Sequence, residues 1–332
     1  MSGLRQVFLA LAVACVGLPA AAQETKEIRL AKQFGISYLP MAVMEERKLI
    51  EKHAQAAGLG PVTVSWLQIN AGAPMNDSLI SGNIDFASGG VGPLLTIWAR
   101  TRASLGVRAI STINSMPLYL NTINPKVTTL KDFGDGDRIA LPAVKVSIQA
   151  VTLQMAAEKQ LGKFDALDRL TVSMAHPDGH AALMTGKTEI TAHFTSAPFM
   201  YQQLADPRVK RVLSSYEVLG GPATFNLIWT TAAFREKNPR GFKAVLAAIE
   251  EAVALIAADP TAAAKLWIEV EKSRLDPAFI EKIIRDPENV FTTTPQNTMK
   301  YAEFMYRTGS IKELPASWKD LFFAEVHDKA GS

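Results

Sequence analysis

The sequence predicts an α/β fold built from two similar lobes, and three observations lead to that prediction. Strand and helix patterns alternate along the chain, and the same order of elements occurs twice. The spacing from Ile28 to Ile84 is close to the spacing from Ile139 to Ile190. Alternating βαβαβ units give parallel sheets with helices on both faces. The 332 residues are 48% hydrophobic and 20% charged, which is typical of globular domains with real cores.

The first lobe begins with a short alternating strand and continues with strands rich in β-branched and aromatic residues. Its predicted strands are 27–31, 62–68, 84–87 and 107–113. Helices are predicted over 41–57 and 94–100, with a short helix between them that Asn76 or Asp77 caps and that ends at Gly82. Residues 88–93 are predicted to be a glycine loop that opens onto the third helix.

The second lobe repeats this order. Its predicted strands are 138–141, 170–174 and 189–193, and its predicted helices are 148–161, 181–185 and 199–204. Residues 176–179 are predicted to form a turn. A return strand is then expected over 225–230, and the rest of the chain is predicted to be helical, over 240–258, 260–272, 277–285, 295–308 and a final helix to about residue 328.

Residues 1–22 have the order of a secretory signal peptide. Arg5 is the only charge, an apolar run over 7–18 follows, and small residues end at Ala22. The run is shorter than the roughly 20 residues that span a bilayer. We therefore expect export, with cleavage after Ala22 rather than lipidation of Cys15, the only cysteine. A mature chain without cysteine has no disulfide and no thiolate metal site.

Several function classes are disfavoured by what the sequence lacks. With a formal net charge of +3 and no basic block, nucleic acid is not an expected partner. Motifs for nucleotide phosphates, serine nucleophiles and zinc are absent, so we predict no catalytic residues and no cofactor. His176 and His180 are four residues apart, but they have no carboxylate or thiolate company, so no metal site is predicted.

The ligand of an open α/β sheet lies beyond the carboxyl ends of its strands. Four predicted loops lie there, at 34–38, 70–72, 88–92 and 142–147, and three of them lead into helix N-termini, which favour anions. Lys145 precedes Ser147, a predicted N-cap, and would add a cation to such a site. Trp66 is a further aromatic candidate for the wall. The candidate ligand-binding residues are Phe34, Gly35, Tyr38, Asn70, Ala71, Gly72, Gly89, Gly90, Val91, Lys145, Val146, Ser147, Thr195, Ser196, Thr224 and Phe225.

An ordered set of segments resembles one family. Residues 81–93, SGNIDFASGGVGP, are similar to the Gly-x-Ile-Asp-Phe strand and glycine loop of the periplasmic solute-binding proteins of ABC importers, in the sulfonate, taurine and nitrate group that also includes thiamine-pyrimidine-precursor binders. The other similar segments are 35–57, 132–162, 186–204 and 220–239.

The resemblance implies a two-lobed periplasmic-binding-protein fold of type II kind, with two crossovers and C-terminal helices. Lobe one would be residues 24–113 plus 226–332, and lobe two 114–225, with crossovers near 113–118 and 217–225. It also implies a small-molecule ligand, an inner-membrane ABC permease as partner, a periplasmic location and a monomer. Hinge closure of such lobes needs only a few residues to change φ/ψ.

The resemblance leaves the ligand open. Many sulfonate and taurine binders carry Trp-Glu before the Pro-Phe of the second lobe, whereas this chain has Ser196-Ala197 there. Loss of that carboxylate favours an anionic solute without an amine, such as a sulfonate or a carboxylate. The alternatives are a pyrimidine-type thiamine precursor as ligand, an exported sensor without a transport role, and an exported enzyme.

Overall fold

Two mixed β-sheets organise the chain. The computed structural model describes residues 23–70 and 72–332. The strands are β1 (Glu27–Lys32), β2 (Thr63–Gln68), β3 (Ala87–Gly90), β4 (Arg108–Thr112), β5 (Tyr119–Thr122), β6 (Ile139–Leu141), β7 (Thr171–Ser173), β8 (Ala192–Thr195), β9 (Lys210–Ser214) and β10 (Asn226–Thr230).

Helices follow most of the strands. They are α1 (Leu39–Glu46), α2 (Leu49–Ala56), α3 (Gly72–Ile80), α4 (Val91–Thr101), α5 (Ile148–Leu161), α6 (His176–Thr185), α7 (Phe199–Leu204), α8 (Ser215–Leu219), α9 (Ala232–Lys237), α10 (Pro239–Ala258), α11 (Pro260–Val270), α12 (Pro277–Arg285) and α13 (Thr298–Arg307). No helix in the described part of the chain is long and apolar enough to span a membrane.

The two sheets share one strand order. In the second sheet the order is β7-β6-β8-β5-β9. In the first, β1 pairs with β2, β10 lies between β3 and β4, and a parallel bridge from Leu30 to Phe86 joins the two parts. The first order is therefore β2-β1-β3-β10-β4. In each sheet one strand, β10 or β5, runs antiparallel to its neighbours, so the sheets are mixed rather than purely parallel as the sequence predicts.

The chain passes between the sheets twice. β4 belongs to the first sheet and β5 to the second, and the chain returns between β9 and β10. The buried side chain of Asn114 lies in the outward connection, where its amide donates to the Ser37 carbonyl at 2.6 Å. Ser115 links the two connections, because it forms an antiparallel bridge with Thr224 in the return connection. A second antiparallel bridge joins Ser115 to Val290.

Two large hydrophobic clusters hold the layers together. One lies between the lobes and includes Leu94, Ile148 and Trp229. The other packs the first sheet against α1 and the amphipathic α10, whose inner face includes Phe242 and Ile249. Burial of such faces accounts for most of the stability of these helices.

Several sequence predictions of elements are wrong in detail. The helix expected over 41–57 is two helices, because Lys48 takes a left-handed backbone conformation with φ 49°. α3 begins at Gly72, so Asn76 lies inside it and donates to the Pro93 carbonyl instead of capping it. The helix expected to reach about residue 328 is replaced by the 3₁₀ turns Trp318–Leu321 and Ala324–Val326.

Two further corrections change the candidate site. The predicted glycine loop is largely strand, because Ser88, Gly89 and Gly90 pair with β10, and α4 begins directly at Val91. The predicted turn at 176–179 is the first turn of α6, which starts at His176. Proline as the second residue of a helix loses no hydrogen bond, so the following Pro177 fits there.

Candidate functional site

A small enclosed cavity lies between the two sheets, where their parallel strands end. The space open to the centre of a water molecule is about 20 Å³, which is room for one or two waters. Its lining residues are Gln33, Phe34, Tyr38, Gly90, Pro93, Pro142, Ser147, Ile148, Gln149, His176, Phe225 and Asn226. Because ligands of open α/β sheets bind beyond the strand ends, this cavity is the candidate ligand site.

The two sides of the cleft are in direct contact around the cavity. The N–H of Ile36 donates to the Ala197 carbonyl at 3.1 Å. A Cβ atom on Gly90 would lie 2.7 Å from Cγ2 of Ile148, and one on Gly92 would lie 2.9 Å from the carbonyl oxygen of Val146. A side chain at either glycine would therefore hold the two sides apart, since packed interiors leave no room for such overlap.

Three helices begin at the cavity wall. Gly90 is the N-cap of α4, Ser147 is the N-cap of α5, and His176 is the first residue of α6. The first N–H groups of a helix have no partner within it and carry partial positive charge. No Asp, Glu, Lys or Arg is among the described residues that line the cavity. An oxyanion at this site would therefore meet neutral donors and helix dipoles rather than a charged side chain.

Tyr38, which follows β1, and Asn226, the first residue of β10, form a hydrogen-bonded pair in the cavity wall. The Asn226 amide donates to the Tyr38 hydroxyl at 3.1 Å, and the Asn226 N–H donates to Oδ1 of Asn114 at 3.1 Å. Burial raises the pKa of Tyr38 far above its ordinary value, so its phenol stays protonated and able to donate.

His176 is one of three polar side chains of the second lobe at the cavity, with Ser147 and Gln149. Its Nδ1 lies 3.0 Å from Oγ1 of Thr195 and 3.2 Å from Nε2 of His193, and its Nε2 lies 3.3 Å from Nε2 of Gln149. Burial lowers the pKa of His176 to about 4. The ring is therefore neutral near pH 7 and carries one proton, which makes one nitrogen a donor and the other an acceptor.

Five of the candidate residues line the cavity. They are Phe34, Tyr38, Gly90, Ser147 and Phe225. Phe34 and Tyr38 follow β1, Gly90 is the last residue of β3, and Phe225 lies in the return connection. Ser147, after β6, caps α5 with its hydroxyl 3.2 Å from the Ala150 nitrogen.

Other candidates support the cavity without lining it. Thr195 contacts His176, and Val146 contacts Gly92 across the cleft. Gly89 leaves room for the Trp229 ring, 3.0 Å from where its Cβ would be. Buried supporting positions are also held by Gly35, Val91, Ser196 and Thr224.

The remaining candidates lie away from the cavity. Lys145 is exposed in a left-handed conformation with φ 62°, and its charge acts on Asp168, whose pKa burial raises. Asn70 is exposed. Ala71 lies outside the described residues, as do Cys15 and the predicted signal peptide, and Gly72 opens α3. Trp66 is half-buried and packs against the cluster beside α1 and α10.

Seven lining residues are absent from the sequence-based list. They are Gln33, Pro93, Pro142, Ile148, Gln149, His176 and Asn226. Ile148, Gln149 and His176 lie in the first turns of α5 and α6, one step beyond the loops on which the prediction concentrated. Gln149 and His176 could have been found by looking for polar residues in the first turn of a helix that follows a strand.

The histidines do not form a metal centre with other ligands. Within residues 23–70 and 72–332, no group of three or more His, Cys, Asp or Glu side chains is placed to hold a metal ion. His180 lies one turn after His176, and its ring packs beside Phe199 with centroids 5.7 Å apart.

Comparison with solved structures assigns the fold. The alkanesulfonate-binding protein SsuA from Xanthomonas axonopodis pv. citri, bound to MOPS, superposes with a TM-score of 0.69 at 17% identity, over 91% of this chain and 98% of that one. A Candida albicans protein described as having the generic periplasmic binding protein fold gives 0.68 at 12% identity, over 90% and 96%. This chain has the periplasmic binding protein fold.

A third structure with this fold is the periplasmic nitrate-binding protein NrtA from Synechocystis PCC 6803. Its TM-score is 0.66 at 15% identity, over 90% of this chain and 85% of that one. No protein-family model matches the sequence, and neither does any curated protein. The fold expected from the sequence, two lobes with two crossovers and C-terminal helices, is confirmed.

Proposed function

We propose that the protein is the periplasmic substrate-binding component of an ABC importer and that it captures a small anionic organic solute, sulfonate- or carboxylate-like, between its lobes. The observation that carries the proposal is the convergence of α4, α5 and α6 on one closed cavity that has no charged side chain in its described wall. Helix N-termini bind anions through free N–H groups and the dipole. Solved proteins of similar fold that are described as alkanesulfonate- and nitrate-binding support the proposal.

The lobes of this proposal are residues 24–113 plus 226–332 and residues 114–225. The two connections between the sheets would act as the hinge, near 113–118 and 217–225. Buried contacts of the hinge itself, such as the Ser115 hydroxyl donating to the Ala223 carbonyl at 2.8 Å, join residues that would move little. Ligand entry would then need the contacts at Gly90 and Ile36 to separate while the hinge contacts remain.

Export is part of the proposal. Residues 1–22 would be removed, the mature protein would be a monomer in the periplasm, and the closed form would dock on an inner-membrane permease. Binding without turnover is what the cavity chemistry supports, because among the described residues the hydroxyl that hydrogen-bonds to the buried neutral His176 is that of Thr195, on its inner side.

A ligand screen by thermal shift tests the proposal. The panel is ethanesulfonate, benzenesulfonate, acetate, benzoate and a 4-aminopyrimidine. A ligand at 100 times its Kd adds about 2.7 kcal/mol of stability, so a true ligand raises the melting temperature measurably. Gly90→Val is the control variant, because its side chain would meet Ile148 and prevent closure. We expect an anion to stabilise the wild type and not this variant.

A pyrimidine-type ligand is the second candidate. Phe34, Tyr38 and Phe225 all line the cavity, and aromatic faces pack well on a flat ring. If the aminopyrimidine gives the only shift in the panel, this candidate replaces the anion.

A further inference from the structure

A row of buried polar side chains leads from the cavity into the second lobe. It begins at His176 and continues through His193 in β8, Gln203 in α7 and Asn121 in β5. The inner three are fully buried. The sheet register places Asn121 directly opposite His193, so the two side chains lie on the same face. Buried polar groups of this kind need hydrogen-bond partners.

The inner end of the row has a fixed direction. The Asn121 amide donates to the Met200 backbone carbonyl at 3.1 Å and to Oε1 of Gln203 at 3.0 Å. A backbone carbonyl only accepts, so the amide group of Asn121 must face it with its NH₂. Oε1 of Gln203 therefore accepts, and Nε2 of Gln203 donates to Nδ1 of His193 at 2.7 Å.

This direction passes through both imidazoles. Nδ1 of His193 accepts, so the single proton of that neutral ring is on Nε2. Nε2–H of His193 points at Nδ1 of His176, 3.2 Å away, and Thr195 supplies a second donor to the same nitrogen. Nδ1 of His176 is thus an acceptor, and the proton of His176 is on Nε2, on the side of Gln149, another residue of the cavity wall.

The lack of a side chain at Gly179 leaves room for the His193 ring. A Cβ at Gly179 would lie 2.8 Å from Nε2 of His193. Glycine inside a helix is less stable than alanine, yet α6 has a glycine at the point where the His193 ring packs. Any side chain at residue 179 would displace the donor that fixes His176.

At the cavity, the outward donor of His176 lies beside the amide of Gln149, with Nε2 of His176 3.3 Å from Nε2 of Gln149. Among the described side-chain hydrogen bonds this amide has no other partner, so its oxygen can accept from His176 before a ligand enters, and its NH₂ can turn toward a ligand oxygen that reaches both groups. We propose that His176 and Gln149 donate together to one oxygen of the ligand, and that His193, Gln203 and Asn121 are positioning residues that keep the proton of His176 on Nε2.

This inference rests on the proposed function and restricts the chemical class of the ligand. A group held by these two donors must accept hydrogen bonds, as sulfonate and carboxylate oxygens do, whereas an ammonium group only donates. The same geometry accounts for anion binding without Lys145.

Nitrogen-15 NMR of histidine-labelled protein tests the positioning directly. The sequence has five histidines, and His→Gln variants assign their signals. At pH 7.5 we expect His176 and His193 to be protonated on Nε2 and unprotonated on Nδ1. A protonated Nδ1 on either ring overturns the inference, whether or not a ligand is known.

The variant Gln203→Glu reverses the direction of the row. A carboxylate at residue 203 accepts from His193, so the proton of His193 moves to Nδ1, and His176 then donates inward and loses its outward donor. We expect NMR to show this exchange and calorimetry to show 10- to 100-fold weaker binding of ethanesulfonate, as for the loss of a hydrogen bond to a charged group. Unchanged tautomers overturn the inference.

Variants of His176 distinguish a side chain that donates a hydrogen bond to the ligand from one that only packs. His176→Gln keeps an amide N–H near the Nε2 position, so we expect affinity within about fivefold of wild type, whereas His176→Leu should lose 10- to 100-fold. His180→Leu, one turn along the same helix, is the matched control and should bind normally. If wild type binds ethanesulfonate or acetate and His176→Leu binds equally well, the inference fails while the proposed function stands. If neither anion binds wild type, the proposed function fails, and NMR still decides the tautomers of His176 and His193.

Discussion

The pH dependence of stability offers a sharp test of the buried His176. Its pKa in the folded protein is about 4, against an ordinary value of 6.5, because burial disfavours the charged ring. The unfolded chain therefore binds a proton more readily between these two values. Stability is fully present above pH 6.5 and is lost as the pH falls toward 4.

The magnitude follows from the two pKa values. The gap between 6.5 and about 4 corresponds to about 3 kcal/mol at 1.36 kcal/mol per pH unit. About 2 kcal/mol of this is lost between pH 8 and pH 5. The exposed carboxylates with lowered pKa values, Asp132 and Asp206 at about 2, lose their contributions at lower pH. Other carboxylates with shifted pKa values, such as Glu24 and Asp168, are common to wild type and to a His176 variant, so the difference between the two proteins over this interval reports on His176.

The assay is urea unfolding of wild type and His176→Gln at pH 8 and pH 5. We expect the free energy of unfolding of wild type to fall by about 2 kcal/mol more than that of the variant between these values. His193, whose pKa burial also lowers, contributes to both proteins. An equal loss in both would refute the conclusion that His176 is held neutral in the folded protein.

Three further predictions concern closure, charge and export. Gly90→Val should abolish the decrease in radius of gyration on ligand binding, because its side chain meets Ile148; a normal decrease in small-angle scattering would contradict the closed contact. Lys145→Ala should bind the ligand within about twofold of Lys312→Ala in calorimetry, since Lys145 is exposed; a tenfold loss for Lys145 alone would place it at the ligand. Intact-mass measurement should show that the exported protein begins at Gln23; a lipid on Cys15 would show lipoprotein processing instead.

Much of the fold could be predicted from sequence because its signals are local. α5 was predicted with its bounds, since Ser147 caps it and Gly162 ends it in the left-handed conformation. β5 and β9 were missed, because their pairing is long-range and residues such as Asn121 and Thr122 give no strand pattern. The break at Lys48 was equally invisible, since lysine rarely takes a positive φ.

The candidate site was predicted in outline for the same reason. The strand ends could be located, and they gave Phe34, Tyr38 and Gly90. The sequence does not single out His176 as a lining residue because His-Pro-Asp-Gly is typical of a turn, whereas in the structure these residues form the first turn of α6, with proline near its start. Lys145 was chosen for its charge, but its left-handed backbone directs it to solvent.

The central claim is that helix N-termini and neutral donors hold an anion in the closed cleft. The most direct measurement is a calorimetric titration with the best anion of the panel and with its neutral counterpart, the methyl sulfone of a sulfonate or the amide of a carboxylate. We predict that the anion binds at least tenfold more tightly, because three helix dipoles favour negative charge at the cavity. Equal affinity for the neutral counterpart, or binding of neither, would contradict the account.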